Sequence, residues 1–182
     1  VITVIDASLQ NFQTRTTGGF DLTFNYGLNL GELGVPVLKR IDLSWHGNFL
    51  LDYEEIGKGQ DEGEQFAGTI TSNAGSYAQF RWNLRFALSG DWWTLTNKWR
   101  YIGGAEVYGL YEGVDPHATV PAVVYWDIVA QFMYKDFYAV VGIDNLLNKE
   151  PPFFMNGGPN ANVQTYDFIG RYFFVKFGYT FL

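Results

Sequence analysis

The sequence contains no cysteine, which is compatible with an oxidising compartment in which the fold makes no use of disulfides. It has no apolar run approaching the ~18 residues of a membrane-spanning helix, because the most apolar stretch, residues 120–132, is interrupted by Asp127. Basic residues are few and dispersed, with 12 Lys and Arg against 19 Asp and Glu and a net charge of −7. Helical membrane spans are therefore excluded, and general nucleic-acid binding, which needs clustered positive charge, is disfavoured.

A secretory leader is also lacking at the start of the chain, where Val1 is not followed by a basic segment and then an apolar one. We therefore expect a mature or truncated N-terminus. What the sequence does contain in abundance is aromatic residues, at 19%, together with 21 glycines. This composition is unusual for a soluble domain.

Apolar and polar residues alternate with a period of two, in segments of about 9–11 residues or longer, the length of a tilted membrane strand. In the clearest segment, Trp82 and Leu84 alternate with Arg81, Asn83 and Arg85. Asn97 breaks the pattern, because it falls among the apolar positions of its segment. The alternation predicts strands at residues 20–30, 41–53, 78–88, 93–101, 124–134, 137–143 and in the C-terminal segment that ends near residue 181.

The connections between these segments alternate between short and long. Short turns are predicted at residues 31–36, 89–91 and 135–136, and long polar loops at residues 54–76, 103–118 and 149–164. Short periplasmic turns and long extracellular loops are typical of outer-membrane barrels. We therefore predict an all-β fold, a transmembrane antiparallel β-barrel, in which Val1 to Ile5 form the end of a truncated eighth strand.

The alternative fold is a soluble β-sandwich or a lipocalin-like barrel, whose strands alternate in the same way with the apolar side turned inward. Long strands, aromatic residues near the strand ends and full charges on the polar side favour the membrane barrel. In that barrel the polar side faces a wet lumen. The residues predicted to face the lumen are Arg40, Asp42, Arg81, Arg85, Lys98, Arg100 and Asp127.

Two C-terminal segments resemble motifs of a known family. Residues 142–151 read GIDNLLNKEP, and residues 166–181 read YDFIGRYFFVKFGYTF. They are similar to the penultimate-strand and closing-strand motifs of TonB-dependent receptors, and Gly18-Gly19-Phe20-Asp21 resembles a strand start of that family. The chain departs from the family pattern at Leu147, where Phe is commoner, and at the terminal Leu182.

This resemblance implies that residues 1–182 are the last eight or so strands of a twenty-two-stranded barrel whose lumen is plugged. The family lies in the outer membrane of Gram-negative bacteria and takes up scarce nutrients: siderophores, cobalamin, metal chelates or oligosaccharides. Uptake is energised by TonB through an N-terminal box. Neither the plug nor the box is in this chain, so the partners implied are outer-membrane lipid, the rest of the receptor, TonB and the nutrient.

No catalytic or metal-binding constellation is found in the sequence, so we expect neither an enzyme nor a cofactor. His46 and His117 fall in different kinds of segment, and the acidic residues 61–64 lack the spacing of a calcium site. Ligand recognition is better placed in the long loops, where stacking and hydrogen-bonding groups occur. The candidates are Tyr108, Tyr111, His117, Phe153, Phe154 and Asn156.

The apolar series at the C-terminus includes Phe177, Tyr179 and Phe181. It resembles the signal that the outer-membrane insertion machinery reads, which adds that machinery to the expected partners. An alternative function remains open, namely a self-contained eight-stranded outer-membrane barrel with a structural or adhesive role. The five residues from Val1 to Ile5 argue against it, because at ~3.3 Å each they cannot cross an apolar band of ~25 Å.

Overall fold

The computed structural model describes residues 14–31, 34, 37–57, 59–71, 75–109, 118–154 and 161–181. The predicted truncated strand at Val1 to Ile5 lies outside these residues. Within them the secondary structure is β throughout, and no helix is long and apolar enough to cross a membrane. The strands in chain order are β1 (Thr14–Asn29), β2 (Arg40–Ile56), β3 (Glu64–Gln65), β4 (Thr69–Thr71), β5 (Gly75–Ser76), β6 (Phe80–Ser89), β7 (Trp93–Ile102), β8 (Ala105–Val107), β9 (Thr119–Val120), β10 (Val123–Tyr134), β11 (Phe137–Asp144) and β12 (Tyr172–Tyr179).

The seven long strands form one antiparallel sheet in the order β1-β2-β6-β7-β10-β11-β12, and the short β3 pairs with the end of β2. Each long strand pairs with the next long strand along the chain. The connections alternate between short and long, as predicted. β1 and β12 form the two edges of this sheet, which is not closed in the described part of the chain. The antiparallel all-β fold is thus confirmed.

Residues 54–76 and 103–118, predicted as long loops, contain three strands of a second, small sheet, and its fourth strand, β9, follows directly after them. The order of this sheet is β5-β4-β8-β9, and β4 runs parallel to β8. Strands of two or three residues are too short to show a period of two, which is why the alternation did not reveal them. β2 also continues to Ile56, beyond its predicted end.

The main sheet has an apolar face and a polar face, because successive side chains of a strand point to opposite sides. Directly opposed residues of paired strands share a face, and the register gives apolar rows such as Phe24, Trp45, Leu84, Trp99 and Trp126. The polar face carries the residues between them. One β-bulge interrupts the β1–β2 register: Leu51 has no partner, and Gly19 lies so close to the β2 backbone that a Cβ would overlap the Phe49 carbonyl oxygen.

Two glycines of the last hairpin lie beneath aromatic rings. Phe174 is opposite Gly142, and Tyr138 is opposite Gly178, and each ring occupies the space that a Cβ on its glycine would need. Both pairs lie on the polar face. An aromatic ring that covers a cross-strand glycine compensates for the missing side chain.

The buried core lies where the small sheet meets the end of β10 near the long loops. Val123 and Tyr125 share the polar face with Asp127, and they pack with residues from the small sheet and from the third long connection. The other members of this cluster are Ile70, Ala105, Val107, Val120, Phe154 and Tyr166.

The apolar face, in contrast, is largely exposed. Phe24 is 54% exposed, Phe173 65% and Phe177 74%. A sandwich would cover such a face with a second sheet, whereas the small sheet and the core of the described residues lie on the polar side. Large exposed apolar patches are typical of surfaces that contact protein or membrane.

Candidate functional site

The polar face of the main sheet brings together all seven residues predicted to line a lumen. Arg85 is opposite Lys98, and Lys98 is opposite Asp127, so these three charges form one row across β6, β7 and β10. The next row contains Arg100 opposite Tyr125. By the same register, Arg40, Asp42 and Arg81 project from this face as well. That they share a face is a structural fact, whereas a water-filled lumen in front of them remains a prediction.

Arg40 and Asp42 form an ion pair along one strand. Their two-residue spacing on β2 places both side chains on the same face. Arg40 Nε lies 2.8 Å from each carboxylate oxygen of Asp42, and a terminal nitrogen lies 2.6 Å from Oδ1. Arg40 also donates to Asn29 Oδ1 at 3.3 Å. The carboxylate of Asp42 is therefore engaged by Arg40.

Arg100 is the centre of a larger network. It donates two hydrogen bonds to the carboxylate of Asp167, its Nε lies 3.5 Å from Asp127 Oδ2, and its guanidinium stacks over the Tyr125 ring at 4.9 Å. The Asp167 amide donates to the Tyr125 hydroxyl at 3.2 Å. Arg100 and Asp167 are 67 positions apart, so this contact fastens the third long connection to the polar face.

Residues 161–170, called the inner segment below, make further contacts across this end of the sheet. Asn162 is fully buried and donates to the Thr71 carbonyl at 2.6 Å, and the Ser76 amide donates to Thr165 Oγ1 at 3.1 Å. Tyr166 is 3% exposed, and burial raises its pKa to about 12. Its hydroxyl has no hydrogen-bond partner among the described residues. The inner segment thus bridges the small sheet and the strands.

The GIDNLLNKEP motif folds into a turn that two asparagines hold together. Asn145 is buried, and its backbone amide donates to Asp127 Oδ1 at 2.9 Å. Its side chain donates to the Lys149 carbonyl at 2.9 Å and accepts from the Lys149 backbone amide at 2.7 Å. Asn148 accepts a hydrogen bond from the Arg171 amide at 2.8 Å. Both asparagines have a positive φ of 51°, which Asn tolerates better than most residues. The motif therefore connects the end of β11 to the start of β12.

The described candidate ligand residues differ in accessibility. Tyr108 donates to Glu64, and this hydrogen bond is the main reason that its pKa is raised to about 12. Phe153 is 53% exposed, whereas Phe154 is fully buried in the core and packs there. Tyr111, His117 and Asn156 lie outside the described residues.

Asn97, which breaks the apolar pattern of β7, accepts a hydrogen bond from the indole nitrogen of Trp126 at 3.2 Å. The partner lies on the neighbouring β10, so the sequence pattern of β7 alone could not identify it. His46 lies 3.0 Å from Thr23 Oγ1 and 3.9 Å from Asp21. It belongs to a polar row between β1 and β2, and the described residues contain no cluster of three metal-ligating side chains.

Comparison with known proteins returned no match: no family model matches the chain, and no curated protein and no solved structure is significantly similar to it.

Proposed function

We propose that this chain is the barrel-wall portion of a TonB-dependent outer-membrane receptor, which takes up a scarce nutrient into the periplasm. The observation that carries the proposal is the exposed apolar face on a sheet whose opposite face is charged. A lipid-facing wall around a wet interior needs this division of residues.

The height of the apolar face supports a membrane location. On β10 the apolar positions run from Val124 to Tyr134, which is ten residue steps. Ten steps of ~3.3 Å give about 33 Å along the strand. A strand tilted by about 40° then spans about 25 Å along the membrane normal, which is the height of the apolar band in outer-membrane barrels.

Aromatic residues lie near both ends of this face. Towards the long connections, Phe20, Phe49, Phe80 and Tyr101 form a continuous row with ring-centroid distances of 4.6, 4.5 and 5.6 Å. Aromatic side chains are enriched at the two interfaces of a membrane. The rings towards the short turns are Trp92, Phe132, Phe137, Tyr179 and Phe181.

The open sheet and the C-terminal motifs support the larger receptor rather than a small closed barrel. Among the described residues the outer edges of β1 and β12 have no strand partner, and in lipid each unpaired backbone group costs several kcal/mol. Further strands of the same polypeptide would satisfy those edges. The turn held by Asn145 and Asn148 and the closing strand are the segments that resemble TonB-dependent receptors. Residues outside this chain would supply the plug and the TonB contact.

Quenching of tryptophan fluorescence by brominated lipids tests the membrane location. In the full polypeptide reconstituted in vesicles, a variant that retains only Trp99 should lose fluorescence when the acyl chains are brominated, because Trp99 lies on the apolar face. The matched control is a tryptophan-free background with Asn83→Trp on the polar face, which should be quenched far less. Equal quenching of the two variants would contradict the proposed orientation.

Transport is tested in the bacterium that produces the protein. Deletion of the gene should slow growth when one nutrient of the proposed classes is limiting, and deletion of TonB should have the same effect. Restoring the full polypeptide should restore growth only in the strain that retains TonB. The transport function would be overturned if neither deletion affected growth under limitation of iron, cobalamin and oligosaccharides. The membrane location would then still be decided by the quenching experiment.

A further inference from the structure

Two cations of the polar face lie in an unfavourable arrangement. Arg85 on β6 and Lys98 on β7 are directly opposite each other, and both side chains are exposed. Like charges at directly opposed positions of an antiparallel pair repel each other and destabilise the sheet. The arrangement therefore needs a compensating negative charge.

Three carboxylates of the polar face lie near the pair. Asp42 and Asp144 attract Arg85 and Lys98, respectively, through space, but neither forms an ion pair with them among the described residues. Asp42 is paired with Arg40, whose Nε lies 2.8 Å from both carboxylate oxygens. Asp127 is opposite Lys98, but it pairs with Arg100 at 3.5 Å and accepts the Asn145 amide. Within the described part of the chain, neither Arg85 nor Lys98 forms an ion pair with a carboxylate.

These two cations line a depression whose side chains are mainly hydrogen-bond donors. Its volume is about 180 Å³, and no acidic side chain of the described residues lines it. At about 30 Å³ per water molecule, this is room for roughly six waters. It is smaller than a typical pocket for a whole ligand, so it suits one anionic group of a larger solute. The polar residues that line it are Ser44, His46, Asn83, Arg85, Lys98 and Arg100.

We propose that this depression binds the carboxylate or phosphate group of a small anionic solute. Arg85 provides a planar fork that matches the two oxygens of either group, and Lys98 provides a compact positive charge beside it. The bound anion stabilises the opposed pair by lying between its charges. This inference rests on the proposed function and extends it. If the chain is part of an uptake receptor, the nutrient is an acidic molecule that contacts the wall at this point.

Labelling with pyridoxal 5′-phosphate tests the site directly. The phosphate of this probe occupies the depression. The aldehyde of the probe condenses with the Lys98 amine, which releases water and forms an imine. Borohydride then reduces the imine to a secondary amine. In the full polypeptide folded in detergent, mass spectrometry should show Lys98 labelled about tenfold faster than Lys176, as a charge-assisted contact to the phosphate implies. Lys176 is the matched control, because it is exposed on the same face without an opposed arginine.

Arg85→Gln should reduce Lys98 labelling to the rate of Lys176, and Arg85→Lys should restore part of the difference. Competition distinguishes the two chemistries: protection by inorganic phosphate indicates a phosphate site, and protection by citrate indicates a carboxylate site. Labelling of Lys98 at the Lys176 rate in the unsubstituted protein, or protection by neither anion, would overturn the proposal. So would complete inertness of Lys98, since that would show that another part of the polypeptide fills the depression.

This labelling is measured on detergent-folded protein and does not depend on transport. A positive result combined with unaffected growth of the deletion strain would leave the anion site in place and remove the uptake function. The reverse combination would retain uptake and remove this site.

Discussion

Ala130→Arg is expected to lower the free energy of unfolding in lipid vesicles by about 2–4 kcal/mol, the cost of an arginine near the middle of the membrane. Ala130 lies on the apolar face of β10, opposite Leu95 and Val141. Because alanine has almost no side chain to lose, the cost reflects the placement of the charge rather than the removal of packing. Urea titration of the reconstituted full polypeptide, followed by fluorescence, measures the change.

The matched control for Ala130→Arg is Gln131→Arg at the next position of the same strand. Gln131 is on the polar face, opposite Thr94 and Val140, and its side chain is exposed. We expect a change within about 0.5 kcal/mol there, as is usual for an exposed position. If Gln131→Arg were the costly variant and Ala130→Arg the tolerated one, the two faces would have been assigned the wrong way round.

Phe181→Asp is expected to reduce the amount of folded protein in the outer membrane several-fold. Phe181 is 86% exposed, and its ring packs edge-on against Tyr179 at 4.8 Å, at the end of the apolar face near the short turns. An aromatic ring is favoured at the headgroup level, whereas a carboxylate there both loses that contact and interrupts the C-terminal apolar series. Heat-modifiability of outer-membrane fractions on gels reports the folded amount.

Deletion of Leu182 is the control for Phe181→Asp. This residue lies outside the described part of the chain, and strand alternation predicts that it points away from the face of Phe181. Its loss should leave the folded amount near that of the unsubstituted protein. Equal folded amounts for the two variants would show that Phe181 is ordinary wall rather than part of an assembly signal.

The sequence alone predicts the long strands and their two faces because both depend on a local period of two. Residues close together in the chain are enough to predict three features: the hairpin between β1 and β2, the Lys135-Asp136 turn, and the opposite faces of Trp82 and Arg81. The alternation of short and long connections follows in the same way, since it requires only the strand positions.

The contacts that build the candidate site depend on register between distant segments. Arg100 and Asp167 are 67 positions apart, and nothing in the local pattern around either residue indicates the other. The parallel pairing of β4 with β8 and the burial of Phe154 depend equally on how the long connections fold back. For Asn97, the pattern identified an anomaly, but only the β7–β10 register supplies Trp126 as its partner.

The two ring-covered glycines of the last hairpin fix the alignment of the edge strand. If β12 slipped by two residues, which preserves its faces, Phe174 would meet Val140 or Asp144 instead of Gly142, and Tyr138 would meet Lys176 or Thr180 instead of Gly178. Each ring would then lie over a side chain where it now has an empty site. A slip by one residue would invert every side chain of the strand. β12 thus has one favoured register, and the described residues place no strand on its outer edge. A strand that joins there adds to an edge whose alignment is already determined.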